Sequence, residues 1–367
     1  MTIRNIILGG LALSLVSACM APETRKHRLS DAAVEKEQQE QYRAIVRFWM
    51  DDVRRLNRIA YPILKSNYAI CAQADDGGWN DGIIVSSLDS FGPELRQAAR
   101  DVLNISEYPT VIHLIPGSAA AESGLVAEGD RVIAVNGDRM PASEKTLESY
   151  VKALGGLERR QGETVSYLLS RDGEEHRVAL PVDASCDYRV AVLRDDTVNA
   201  FANGDALFVN TGMMRFANDY ELATVIGHEL AHNAMNHIEK MKSNATAGVA
   251  GGFLLDILFA SVGVNTGGGF TRLGGNVGAS AYSQDFETEA DYVGLYFMAR
   301  AGYDVNDAAV FWRRMAAQVG NARSVGKGYS HPPTAERFLR LQETAAEIER
   351  KQKAGEPLMP EIADSPS

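Results

Sequence analysis

Two histidines and a glutamate in one short run are the residues of this chain with the clearest capacity for chemistry. The run is His228-Glu229-Leu230-Ala231-His232, and the apolar periodicity around it predicts a helix. At about 100° per residue, helix positions four apart differ by only about 40° in direction. Both imidazoles therefore project from one face, where they can bind the same metal ion, with Glu229 beside them.

This histidine pair predicts a catalytic zinc site with Glu229 as general base. Catalytic Zn²⁺ has three protein ligands and a water, whose pKa it lowers to about 7. Glu229 would accept the proton of that water, and the resulting hydroxide would attack a peptide carbonyl. A purely structural zinc site is the less favoured alternative, because such sites usually have four ligands and are rich in cysteine.

The third ligand is expected on a second helix, which begins near Phe286. Glu287 and Asp291 are four residues apart and share a face of that helix. The spacing fits one carboxylate that binds the metal and one that orients a histidine. Glu289 points roughly to the opposite side and is the second choice. His237 follows His232 by five residues and falls off the zinc face, so we interpret it as structural.

Four ordered motifs between residues 185 and 345 carry a family resemblance. They are Asn199-Ala200-Phe201, the HExxH run at 228–232, the segment 287–291 and the HPPTAER segment at 331–337. Together they resemble the HExxH zinc metallopeptidase family of HtpX, BepA and LoiP, which also contains the CAAX prenyl proteases. The resemblance implies an α+β fold whose zincin-like catalytic domain is mostly helical with a small sheet.

The resemblance also implies roles for single residues. His228, His232 and Glu287 would bind one zinc ion per chain, and Asp291 would support a ligand from behind. Arg337 would stabilise the site electrostatically. His331 matches a histidine that can occupy the open zinc position and hold the protease latent. A turn residue is the alternative for His331 because two prolines follow it.

A second block, residues 100–183, has the character of a small β-rich domain. It contains Pro116-Gly117-Ser118-Ala119-Ala120, then Gly129-Asp130 before an alternating apolar strand, and then the tight turn Asn136-Gly137. The block resembles the PDZ domains of bacterial envelope proteases. A PDZ domain binds an extended peptide, often a C-terminus, by strand addition. It would be inserted in the catalytic domain, which then comprises residues 31–99 and 184–345.

One strand is expected to receive the substrate. Residues 205–211 resemble the zincin edge strand that precedes the active-site helix. An extended substrate would pair with its backbone, so unfolded or loop segments would be cleaved. Residues 251–264 form the most apolar stretch, which we interpret as a loop beside the site, with contact to a membrane as the alternative.

The chain starts with features of an exported lipoprotein. Residues 1–18 combine Arg4, an apolar run and small residues before Cys19, as in a lipoprotein signal peptide. Cys19 would be lipidated and residues 19–30 would be a tether, and an ordinary signal peptide is the alternative. Because Met20 follows Cys19, the resemblance implies the outer membrane, with the protein facing the periplasm. Cys71 and Cys186 would then form a disulfide, or remain as two buried thiols.

Composition limits the partners. The 367 residues carry 48 acidic and 37 basic side chains, a net charge of −11, which argues against nucleic acid as partner. Hydrophobic residues at 45% exclude wholesale disorder, although we expect the polar tail at 346–367 to be flexible. We expect a zinc metalloendopeptidase that cleaves unfolded or misassembled envelope proteins. The alternative is a latent protease that acts mainly as a chaperone or peptide-binding quality-control factor for outer-membrane proteins.

Overall fold

The computed structural model describes residues 27–155, 164–240, 284–318 and 335–361. The chain divides into two compact units, Met1–Glu40 and Gln41–Ser367, and the boundary lies within the first helix. The second unit holds every described residue of the candidate site. None of the described helices is long and apolar enough to cross a membrane.

The strands of the larger sheet lie in the middle of the sequence, and the long helices lie before and after them. The helices are α1 (Asp31–Ser66), α2 (Tyr68–Cys71), α3 (Arg96–Leu103), α4 (Ala119–Ser123), α5 (Thr146–Gly155), α6 (Thr211–Phe216), α7 (Asp219–Ala234), α8 (Gln284–Arg300), α9 (Ala308–Gln318) and α10 (Ala335–Ala354). The strands are β1 (Gly77–Asn80), β2 (Ile83–Ser86), β3 (Thr110–Leu114), β4 (Arg131–Val135), β5 (Asp138–Arg139), β6 (Thr164–Arg171), β7 (Glu174–Pro181), β8 (Asp183–Cys186), β9 (Arg189–Leu193), β10 (Ala200–Ala202) and β11 (Ala206–Asn210). The chain is therefore a mixed helix and sheet protein.

The main core lies between α1, α7 and the helices that follow. Apolar residues of α1 recur at three- and four-residue steps, so one face of the helix is buried, as at Val46, Met50 and Val53. Pro62 lies inside α1 without ending it. Residues of α7 and α8 such as Ile226 and Phe297 are fully buried in the same cluster. The candidate site is thus embedded in the largest apolar core of the described chain.

A six-stranded antiparallel sheet forms the second core. Its strand order is β2-β3-β4-β6-β7, and β5 pairs with β4. Buried side chains such as Val132, Tyr167 and Leu180 form a cluster of their own with residues of α4 and α5. β2 belongs to this sheet although it precedes residue 100 in the chain.

A short two-stranded ribbon flanks the segment that forms the six-stranded sheet. β1 and β8 pair antiparallel, with Gly77 opposite Cys186 and Asn80 opposite Asp183. A disulfide joins Cys71, at the end of α2, to Cys186, at the end of β8. The segment between β1 and β8 therefore leaves and rejoins the rest of the chain at one place, which the disulfide closes.

The small sheet beside α7 has the order β10-β11-β9. β11 pairs antiparallel with β10 and parallel with β9, so both of its edges are occupied. The expectation that residues 205–211 form an edge strand is therefore wrong. The reason is that the parallel partner β9 precedes β11 in the chain, a tertiary contact that the apolar run 206–210 did not reveal. Within the described residues, β9 and β10 are the outer strands of this sheet.

Candidate metal centre

The active-site helix α7 begins with a full capping box. The Asn218 side chain accepts a hydrogen bond from the Glu221 backbone N–H at 3.0 Å, and the Glu221 carboxylate accepts one from the Asn218 N–H at 2.9 Å. Asp219 follows and binds Arg55 at 2.6 Å and Arg58 at 2.8 Å, both on α1. These contacts fix where α7 starts, and hence which way its later residues point.

Three side chains converge as a potential ligand set. The Nε2 atoms of His228 and His232 lie 3.1 Å apart. Glu287 on α8 places its Oε2 3.5 Å from Nε2 of His228 and its Oε1 3.4 Å from Nε2 of His232. All three residues are buried, and their ligand atoms lie within 4.8 Å of one another. Two imidazoles and one carboxylate are the donors that catalytic zinc sites use, so the set fits Zn²⁺.

Two glycines bring the helices close enough for this set to form. Gly227 on α7 and Gly294 on α8 face each other where the helices cross. A Cβ on Gly294 would lie 2.9 Å from the Gly227 carbonyl carbon, and a Cβ on Gly227 would lie 2.7 Å from the Gly294 oxygen. Since His228 follows Gly227 directly, the close crossing also determines how far the ligands of α7 lie from those of α8.

Asp291 and Arg337 support His228 from behind. Oδ1 of Asp291 lies 2.9 Å from Nδ1 of His228, and Arg337 on α10 holds both Asp291 oxygens, at 2.6 and 2.8 Å. Arg337 also lies 3.7 Å from the Glu287 carboxylate and stacks over Trp312 at 4.2 Å. The spacing predicted that Asp291 would orient a histidine, and the structure places it against His228.

Burial and neighbouring charges have opposite effects on the pKa values of this cluster. Burial alone would raise the pKa of the Asp291 carboxyl, but the charge of Arg337 and the contact with His228 together outweigh it, and the pKa lies below its ordinary value. Burial lowers the pKa of His232 to about 4, because a charged ring is costly in the dry interior. His232 is therefore neutral at pH 7, as a metal-binding imidazole must be.

A third buried histidine belongs to the cluster, and helical spacing did not predict its contact with His232. Helix α7 ends at Ala234, and Asn236 adopts a left-handed φ of 55°, so helical periodicity no longer applies at His237. Nδ1 of His237 lies 2.9 Å from Nδ1 of His232, and its Nε2 lies 2.8 Å from Glu289. Glu289, considered above as a possible metal ligand, thus contacts His237 instead.

Asn233 connects α7 to the small sheet. Its side chain accepts a hydrogen bond from the Gly204 N–H at 2.8 Å and donates one to the Ala206 carbonyl at 3.3 Å. The turn between β10 and β11 is therefore attached to α7 at Asn233, the residue after His232. No feature of the sequence pattern singled out Asn233.

Glu229 is the remaining predicted site residue that the structure describes. Glu229 is buried, with 1% of its surface exposed, and lies in α7 next to His228. His331 and Cys19 lie outside the described residues, as does the stretch 251–264. The geometry of the site therefore rests on α7, α8 and α10.

Comparison with known proteins gives one family match. Residues 171–345 match the model of Peptidase family M48. The mitochondrial metalloendopeptidase OMA1 of Schizosaccharomyces pombe is 29% identical over 174 residues, which are 46% of this chain and 50% of that protein. The metalloprotease YcaL of Escherichia coli is 30% identical over 165 residues, 44% of this chain and 62% of that protein. The beta-barrel assembly-enhancing protease of Yersinia pestis is 28% identical over 136 residues, 35% of this chain and 28% of that protein.

The matches cover only part of each protein. The chain spans 28% to 62% of the length of these three relatives. Among solved structures, a PDZ domain of a carboxy-terminal protease from Vibrio cholerae, in complex with a peptide, covers 29% of this chain and 96% of that chain at 22% identity. Its TM-score is 0.21, which is too low to support an assignment of the fold.

Proposed function

We propose that this chain, which carries a peptidase family M48 domain, is a zinc-dependent metalloendopeptidase. The observation that carries the proposal is the convergence of His228, His232 and Glu287 within 4.8 Å of one another. Glu229 lies in the same turn of α7, where a general base is needed. A site of three protein ligands leaves a coordination position for water or substrate.

The residues of the chain divide the chemical work between them. Zn²⁺, when bound by His228, His232 and Glu287, acidifies a water and polarises a carbonyl. The Glu229 carboxylate takes the proton that the attacking water gives up and passes it to the amine nitrogen of the departing peptide. Asp291, held by Arg337, keeps His228 oriented toward the metal.

The substrate would enter as an extended strand. β10 packs beside α7. Asn233, the residue after His232, holds the turn that follows β10. This turn links the small sheet to the helix that carries the proposed ligands, and we propose that an extended substrate backbone binds beside it. Only unfolded or loop segments can present such a strand, so side-chain selectivity would be weak.

The inserted block would bind peptides in the manner of a PDZ domain. β2 is an edge strand within the described residues, so a peptide can extend the sheet there. The loop before it has little capacity to hold a terminal carboxylate. The Gly82 N–H already donates to Asn80 Oδ1 at 2.7 Å, and the Ile83 N–H donates to Asp81 Oδ1 at 2.9 Å. We propose that the block prefers internal extended segments to free C-termini.

The cellular setting of the proposal is the bacterial envelope. A lipid on Cys19 would hold the protein on the outer membrane, facing the periplasm. One relative is named a beta-barrel assembly-enhancing protease, which supports misassembled envelope proteins as substrates. The Cys71–Cys186 disulfide is compatible with that oxidising compartment.

Zinc content and proteolysis of an unfolded protein such as casein test the proposal. The mature chain is compared with Glu229→Gln, which keeps the shape of the side chain and removes the base. We expect about one zinc per chain in both proteins and cleavage by the wild type alone. Zinc in both with cleavage in neither would favour the latent, chaperone-like alternative, and the absence of zinc from both would refute the ligand assignment.

A further inference from the structure

The contact between His237 and His232 joins two ring nitrogens of the same kind. The Nδ1 atoms are 2.9 Å apart, so one ring must donate a proton to the other. The second nitrogen of His237 faces the Glu289 carboxylate at 2.8 Å. His237 is fully buried, so neither of these contacts is replaced by water.

Proton counting determines which ring donates. His232 directs its Nε2 toward His228 and Glu287, as a ligand must, so its one proton lies on Nδ1. That N–H can only donate to His237 if Nδ1 of His237 carries no proton. The N–H of His237 then lies at Nε2, where it donates to Glu289. Each donor along this line of three residues has an acceptor.

We propose that His237 and Glu289 are positioning residues for the metal ligand His232. His237 fixes the tautomer and the ring orientation of His232, and Glu289 fixes those of His237. Hydrogen bonds of this kind commonly control metal affinity in histidine sites. The inference rests on the proposed zinc site and extends it to two residues that are not metal ligands themselves.

Packing restricts His237 to the orientation that this role requires. Phe286 stacks on its ring with the centroids 4.6 Å apart and an angle of 20° between the planes. The ring of His232 meets it nearly at right angles, at 73°, so that nitrogen faces nitrogen. A histidine that only filled space would not need both ring nitrogens within hydrogen-bonding distance of partners, here His232 and Glu289.

The two histidine ligands are thus supported in different ways. His228 contacts a carboxylate directly, and the side chain of that residue, Asp291, is only 4% exposed. His232 contacts the ring of His237, and the carboxylate of Glu289 behind that ring is 43% exposed. The support of His228 is closed to solvent, whereas that of His232 reaches the protein surface.

Zinc affinity of the folded mature protein tests the proposal, measured by competition with a chromogenic chelator at neutral pH. His237→Leu fills similar space but offers no acceptor, and we expect zinc binding to weaken about 10- to 100-fold. His237→Gln retains an acceptor and a donor, so we expect affinity within about threefold of wild type. Absorption of the cobalt-substituted proteins should differ from wild type in the leucine variant and not in the glutamine variant.

Two further variants keep the proposal open to refutation. Glu289→Leu alters a half-exposed residue and should fold, and we expect it to weaken zinc binding by about tenfold. His113→Leu is the matched control, since His113 is buried in the six-stranded sheet and bonds Glu128 at 3.0 Å. This variant should lower the free energy of unfolding and leave zinc affinity unchanged. Wild-type affinity in both His237→Leu and Glu289→Leu would overturn the proposal, whereas failure of the wild type to bind zinc would instead refute the proposed function.

Discussion

The helix crossing at Gly294 provides a sharp test of how the fold sets the metal site. Replacing Gly294 by alanine adds a Cβ that would lie 2.9 Å from the carbonyl carbon of Gly227 and 2.9 Å from the backbone nitrogen of His228. Both neighbours are backbone atoms, so no side chain can rotate away. The substitution must therefore move α8 away from α7.

The size of that movement follows from the contact distances. Carbon atoms pack at about 3.5 to 4.0 Å, so the helices must separate by about 0.6 Å. Metal–ligand distances tolerate deviations of only about 0.2 Å, and Glu287 moves with α8. We expect zinc affinity to fall at least about tenfold, which corresponds to about 1.4 kcal/mol. Overpacking costs about 1 to 3 kcal/mol and the helix preference of alanine returns about 1, so unfolding free energy should fall by about 0 to 2 kcal/mol.

Chelator competition and urea unfolding of the same samples measure the two effects. Gly155→Ala is the control, because a Cβ at Gly155 meets no described atom within 4 Å. This variant should retain wild-type zinc affinity. If Gly294→Ala also binds zinc like the wild type, the close crossing does not set the ligand geometry and the reasoning fails.

Three other predictions concern the elements around the site. Reducing the Cys71–Cys186 disulfide opens a loop with a sequence separation of 115 residues, so unfolding free energy should fall by up to about 4 to 5 kcal/mol, as measured in urea with and without reductant. Arg337→Gln leaves the buried Asp291 carboxylate without its cation and should cost at least about 3 kcal/mol in urea unfolding, and a loss below about 1 kcal/mol would show that the pair is not needed. Hydrogen bonds from two arginines, the larger effect being that of Arg55, lower the pKa of Asp219, so its stabilising contribution is present at neutral pH and disappears as the pH falls through the folded pKa. Asp219→Asn should therefore be less stable than wild type at pH 7, and the difference should vanish in acid.

The sequence pattern predicted the ligand geometry where one regular helix was sufficient. Helical spacing placed His228 and His232 on one face of α7, and it placed Glu287 and Asp291 on one face of α8. In the structure, His228, His232 and Glu287 come together, and Asp291 contacts His228. Spacing within a helix cannot tell how two helices cross, so the contact between Gly227 and Gly294 was not predictable from it. The same limit applies to β11, whose parallel partner is fixed only by tertiary structure.

The contact of His237 with His232 could not be predicted from spacing for a different physical reason. Directions calculated at 100° per residue hold only while the helix continues, and α7 ends at Ala234. Asn236 is a residue type that tolerates the left-handed conformation found there, and it marks the end of the regular pattern. The reversal turns His237 back toward His232, into the interior that helical geometry assigned to other residues. A histidine placed just after an HExxH helix should therefore be judged by where the helix ends, and its ring can support the ligand that the helix carries.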